Sequence, residues 1–164
     1  MSIEKDLVGL SETEYGESYR SHLLEIYKLY VGMADNISER RQSASSFFLT
    51  LNSAIVALVG YINLSQDTES IASSYFGVVA LAGMVLSFLW YRLIRSYKDM
   101  NSGKFKVIHE IEKQLPLKPY DAEWTALGRG KDPSLYLPFT NIELFVPWVF
   151  IAIHLFVFLV SVFS

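Results

Sequence analysis

Three long apolar runs, each nearly free of charge, constrain this chain more than anything else in its sequence. The first covers 44–64 and holds no charged residue. The second covers 71–94 and is uncharged until Arg92. The third covers 142–163, with Glu143 at its start and His154 inside it. A helix needs about 20 residues to cross roughly 30 Å of hydrocarbon, and each run meets that length. Three buried helices of a water-soluble domain would need far more polar sequence to cover them than 164 residues leave. The expected fold is therefore an all-α membrane protein, with three transmembrane helices and long cytoplasmic helical extensions.

The charges assign a direction. The connection 65–70 carries Asp67 and Glu69 but no Lys or Arg. All 14 Lys and Arg residues fall either before the first run or from Arg92 onward, and so on one side of the membrane. The positive-inside rule places that side in the cytoplasm and the C-terminus outside. Trp90, Tyr91 and Trp148 then sit at the inner ends of the spans, and Tyr61 and Tyr75 at the outer ends. The expected order is a cytoplasmic arm 1–43, a first span 44–64, an outer loop 65–70 and a second span 71–94. A cytoplasmic helix and ordered loop 95–141 and a third span 142–163 follow. The first 43 residues hold no long apolar run, so no cleavable signal is expected and the first span inserts itself.

Within the arm, Leu23, Tyr27, Tyr30, Ala34 and Ile37 recur at spacings of four and three. This heptad-like seam, continued in phase by Ala44, predicts one helix over 17–64 that enters the bilayer directly. It can pack on the chain's own middle segment, on neighbouring copies, or on both. The second span is expected to continue into the cytoplasm, with a kink at Ser102–Gly103. Phe105, Ile108, Ile111 and Leu115 form the dry side of the next stretch, and Glu110 and Glu112 fall mostly on its wet side. Pro116 and Pro119 end it. Residues 120–141 read as an ordered loop with a short helix around Trp124, ended by Gly128. Thr140 and Glu143 have capping-box spacing, and Pro147 removes one backbone hydrogen bond from the third span.

Few residues offer chemistry. There is no cysteine, which removes disulfides and thiol nucleophiles together. No phosphate loop, metal-ligand cluster or nucleophile elbow is present, so no enzyme, cofactor or metal is expected. A net charge of -3 argues against nucleic acid as a partner. His154 is the one ionisable side chain deep in a span, and either bonds another helix or handles protons. Thr50, Asn52 and Ser53 put polar groups in the first span. Ser73, Gly77, Ala80, Gly83 and Ser87 form a small-residue stripe on the second, which permits close helix approach. The candidate residues facing a pore or other copies are Thr50, Asn52, Ser53, Gly77, Gly83 and His154. Those for cytoplasmic packing are Leu23, Tyr27, Tyr30, Ala34, Ile37 and Trp124.

Residues 24–61, together with Trp90 to Lys98, Asn101, Lys104, Phe105 and the stretch from Glu110 to Glu123, resemble the RipA-family octameric membrane proteins of bacteria. The resemblance covers most of the chain and rests on helix-packing patterns, which carry no chemistry. It implies an inner-membrane homo-oligomer, an octamer, linked to stress adaptation. More distantly the chain resembles small pore-forming membrane proteins that accompany type VI-B CRISPR systems. No Arg precedes a His at the spacing of the nuclease-like motif discussed for those proteins, so that activity is not carried over. The reading is thus a non-enzymatic, channel-like or scaffold-like assembly in stress adaptation or defence. Its partners are the lipid bilayer, other copies of itself and a cytoplasmic protein. The alternative is an adaptor that regulates an envelope enzyme through its cytoplasmic surface.

Overall fold

The computed structural model describes Ile3 and residues 7–65 and 71–163, with side chains described over 7–62 and 75–163. The outer loop 65–70 and the side chain of Ser73 therefore lie essentially outside the described residues. Every regular element among the described residues is helical. A one-turn helix α1 (Glu12–Tyr15) precedes two long helices, α2 (Tyr19–Ser65) and α3 (Ile71–Glu112). A short helix α4 (Pro119–Ala126), a 3-10 turn (Gly128–Gly130) and a final helix α5 (Phe139–Phe163) follow. Three of these helices, α2, α3 and α5, are long and apolar enough to cross a membrane. At about 1.5 Å per residue, the 47 residues of α2 measure roughly 70 Å, more than twice the thickness of bilayer hydrocarbon.

The expected single helix over 17–64 is present as α2. The expected kink at Ser102–Gly103 does not break the helix, and α3 continues to Glu112. Both residues are exposed, so neither is forced out of helical geometry by a neighbour. Pro147 is buried inside α5, and the helix is assigned continuously through it. Helix α5 begins at Phe139, which puts Thr140 inside its first turn rather than at its cap.

The chain divides into two compact units. The first combines residues 1–40 and 97–138. Its core is the predicted seam, with Ala34 and Ile37 buried and Leu23, Tyr27 and Tyr30 half-buried, together with Ile108 and Ile111 of α3. Lys104 Nζ sits 5.2 Å from the Tyr30 ring centre, a cation–π contact. Pro119 opens α4 with the φ that a first helical turn needs. Gly128, Arg129 and Gly130 then turn the chain with positive φ at all three positions. Gly130 is required twice over: its φ is +67°, and a Cβ there would stand 2.9 Å from Cη2 of Trp124.

The second unit combines residues 41–96 and 139–164. Phe48 stacks on Trp90 at 6.1 Å, and Trp90 meets Phe150 at 6.2 Å, so aromatic rings join α2, α3 and α5 in one layer. Phe76, Ala80 and Ile94 fill the remaining interior from α3. Arg41 donates from Nη1 to Thr140 Oγ1 at 2.8 Å and lies 3.4 Å from Glu143 Oε2, tying the start of α5 to α2. The hydroxyl expected to cap α5 is used for this tie.

Gly130→Ala should destabilise the turn by about 1–2 kcal/mol, the usual cost of a side chain in left-handed backbone, with the Trp124 clash added. Hydrogen exchange should show α4 losing protection while α5 keeps its own.

Candidate functional site

Among the described residues, two clusters of fully buried polar side chains stand out, one in each unit. In the second unit, Asn52 of α2 is fully enclosed. Its Nδ2 donates to the Phe48 carbonyl at 2.9 Å, one turn back on its own helix. That bond sets the orientation of the amide, because a carbonyl only accepts. Asn52 Oδ1 is thereby aimed at the other two helices. Ser87 Oγ of α3 lies 2.9 Å from it, and His154 Nε2 of α5 lies 3.1 Å from it. Since Oδ1 also only accepts, Nε2 of His154 carries the hydrogen and the ring is held in that tautomer. Ser87 Oγ is in addition 2.8 Å from the Gly83 carbonyl, so its single hydrogen is shared between two acceptors.

Gly83 makes room for this arrangement. A Cβ at 83 would fall on the imidazole of His154, with Nδ1 only 2.6 Å away. At Gly77, a Cβ would stand 2.8 Å from Ser161 Oγ. The small-residue stripe of α3 is therefore the surface on which α5 lies.

These contacts place the sequence-derived candidates. Asn52, Gly83 and His154 are turned toward one another inside the chain's own three-helix unit, and Gly77 faces Ser161 of α5. Thr50 and Ser53 are exposed on the outside of α2. They are not isolated there, because Ser43, Ser46, Thr50, Ser53, Ala57 and Gly60 recur at spacings of three and four and all are exposed. One face of α2 thus carries four hydroxyls and two small residues where lipid would favour Leu or Phe. Sequence reading caught two of the six, because the others merge into an apolar run.

In the first unit the buried group is Glu112, whose side chain is 0% exposed. Its Oε1 accepts from Tyr27 Oη at 3.1 Å and from the Tyr120 amide at 2.9 Å. Its Oε2 accepts from the Asp121 amide at 3.1 Å and faces His109 Nδ1 at 3.4 Å. The residue expected on the wet side of α3 therefore forms the polar centre of this unit. The physical reason is the bare N-terminus of α4. Lys118 supplies no side-chain cap, and Glu112 takes its place from another helix. The signal available in sequence was Pro119, which announces a helix start with no Ser, Thr, Asp or Asn before it. Tyr27 is pushed up to about 12, first by burial and then by its bond to the Glu112 carboxylate. Tyr120 is raised as well, by burial first and then by the charge of Asp35. Trp124 packs on Gly130 and meets Tyr136 edge-on at 6.4 Å.

Among the described residues, no three His, Cys, Asp or Glu side chains are grouped so as to hold a metal ion. Asn52, Ser87, His154 and Glu112 bond neighbouring side chains and backbone.

A membrane-protein family profile matches residues 24–163, nearly the whole length and all three apolar helices. The chain belongs to the octameric membrane protein family, 8xMP. It is thus a member of a family of homo-oligomeric membrane proteins, and its three apolar helices are membrane spans. The family match runs from Leu24, just inside the seam, so it covers both the Glu112 and the Asn52 centres. No curated protein and no solved structure matches the chain.

Two measurements check these centres. In detergent, a double-mutant cycle of Asn52→Ala and His154→Ala should give a coupling of about 0.6–1.7 kcal/mol, the range of hydrogen bonds between membrane helices. Gly83→Ala should cost more than either single change, because it displaces the whole imidazole. For Tyr27, the neutral form is the one favoured by folding. Its contribution is complete below the ordinary pKa of 10 and is lost as pH rises toward about 12. Tyr27→Phe should flatten the alkaline loss of stability between those two values, read by circular dichroism.

Proposed function

We infer that this chain assembles as an octamer in the bacterial inner membrane, with the hydroxyl-bearing face of its first span turned to the centre of a pore-like or scaffold-like assembly. The observation that carries this reading is the outward stripe of Ser46, Thr50 and Ser53 on the first span, which Ser43 continues just before it. Hydroxyls gain nothing from lipid, and a span whose inner polar group is already satisfied by Ser87 and His154 has no internal use for a second polar face. Either water along an axis or the backbone of a neighbouring copy suits it better. The family match supports eight copies. No catalytic role is assigned, because the buried polar groups are consumed in holding helices together.

The arm 1–43 and the segment 95–141 are cytoplasmic in this reading, and the C-terminus is outside. The support is the one-sided placement of all 14 Lys and Arg residues. A role in stress adaptation or defence rests on the resemblance to RipA-type proteins alone.

The purified protein should run at eight times the 18.7 kDa chain mass once detergent is subtracted. Liposomes containing it should pass a small hydrophilic dye, and Thr50→Leu with Ser53→Leu should abolish that flux while leaving the mass unchanged. An octamer that passes nothing leaves the scaffold, and flux that ignores both substitutions overturns the hydroxyl face as the pore lining. A reporter fused after Ser164 should be active outside the cytoplasm.

A further inference from the structure

The first unit exposes apolar side chains that no lipid explains in the proposed topology. On α2, Ile26, Leu29 and Met33 recur at spacings of three and four beside the buried seam, and Leu29 is 61% exposed. At the N-terminal end of this stripe lies an open apolar hollow of about 300 Å³. Leu7, Leu10, Tyr19, Leu23, Ile26 and Ile111 wall it. A second apolar group follows α4, where Leu135 is 60% exposed and Leu137 is exposed beside it.

The stripe and helix α4, which the two leucines follow, lie on different flanks of α2. Helix α4 is anchored where Tyr27 reaches Glu112 and where Tyr120 senses Asp35. At about 100° per residue, the stripe of Ile26, Leu29 and Met33 is centred roughly on the opposite side of α2 from Tyr27 and Asp35.

Symmetry makes that separation useful. Copies of a chain whose positive charges all lie on one side insert in one direction. A two-fold axis in the membrane plane would invert half of them, so eight like-directed copies are related by rotation about the membrane normal. Such a ring has head-to-tail contacts, and each copy must present two unlike, complementary faces. A stripe ending in a hollow and a pair of protruding leucines on the other flank meet that requirement.

We propose that adjacent copies join outside the bilayer head to tail, the stripe of Ile26, Leu29 and Met33 with its hollow on one copy receiving Leu135 and Leu137 of the next. This rests on the oligomeric reading above and names the contact that would close the ring.

The chain has no cysteine, so introduced thiols report without background. Leu29→Cys with Leu135→Cys in one chain, treated in native membranes with a short bis-maleimide, should give a ladder of up to eight chains. Each single variant alone should stay monomeric on a denaturing gel, and the two single variants expressed together should give dimers. Dimers from Leu29→Cys alone would mean like faces meet and would overturn the proposal. So would a double variant that assembles at full mass and gives no ladder, one that cross-links to a different protein instead, or one whose Leu135→Cys reacts only with a lipid-confined maleimide. A double variant and a wild-type chain that are both monomeric by mass would instead sink the oligomeric reading itself. Circular dichroism and the assembled mass confirm that the variants fold.

Discussion

Asn52 has no water to turn to, and the geometry of its three-helix unit follows from that. A side-chain amide in hydrocarbon must find partners inside the protein. Its NH2 takes the Phe48 carbonyl and its oxygen takes Ser87 and His154, so one group touches all three spans. The bond to His154 reaches full contact because position 83 has no side chain. The aromatic layer of Phe48, Trp90 and Phe150 then packs one turn away on the same helices. Bonds of this kind contribute only about 1 kcal/mol each in membranes. Their value lies more in register, since sliding any helix by one residue leaves a polar group unpaired.

The first unit solves the same problem in another way. A buried carboxylate is costly unless several donors face it. Glu112 has the Tyr27 hydroxyl, two amides at the start of α4 and His109 around it. Removing Glu112 would strip the cap from α4 and leave donors unpaired. The loop beyond α4 depends on that anchor, and with it the placement of Trp124, Leu135 and Leu137. Two polar centres of different kind, one built on a side-chain amide and one on a carboxyl group, thus organise the two units.

With Asn52, Ser87, His154 and Glu112 engaged, the chain still shows hydroxyls on α2 and leucines beside α4. In the proposed assembly the hydroxyl face of α2 is turned away from lipid. Family membership supplies the natural occupant, further copies of the same chain.

Much of this was legible from residue order. The seam from Leu23 to Ile37, the three spans, the helix around Trp124 and the close-packing stripe of Gly77 and Gly83 all follow from periodicity and size, which are local. Gly128 marked the end of α4 because its backbone preference is local too, whereas Pro119, read as ending the preceding helix, opens α4. Glu112 was misplaced because its charge was weighed above its phase: it stands four residues after Ile108 and seven after Phe105, on the dry face, where the bare end of α4 supplies its partners. The hydroxyls of α2 were hard to sort for a similar reason. Asn52 and Thr50 are two residues apart in one apolar run, yet one is enclosed and the other exposed. Length and hydropathy decide that a segment enters lipid, because that depends on summed transfer energy. Which polar group meets which partner depends on the angle at which helices distant in sequence come together, and that is decided only by the tertiary structure.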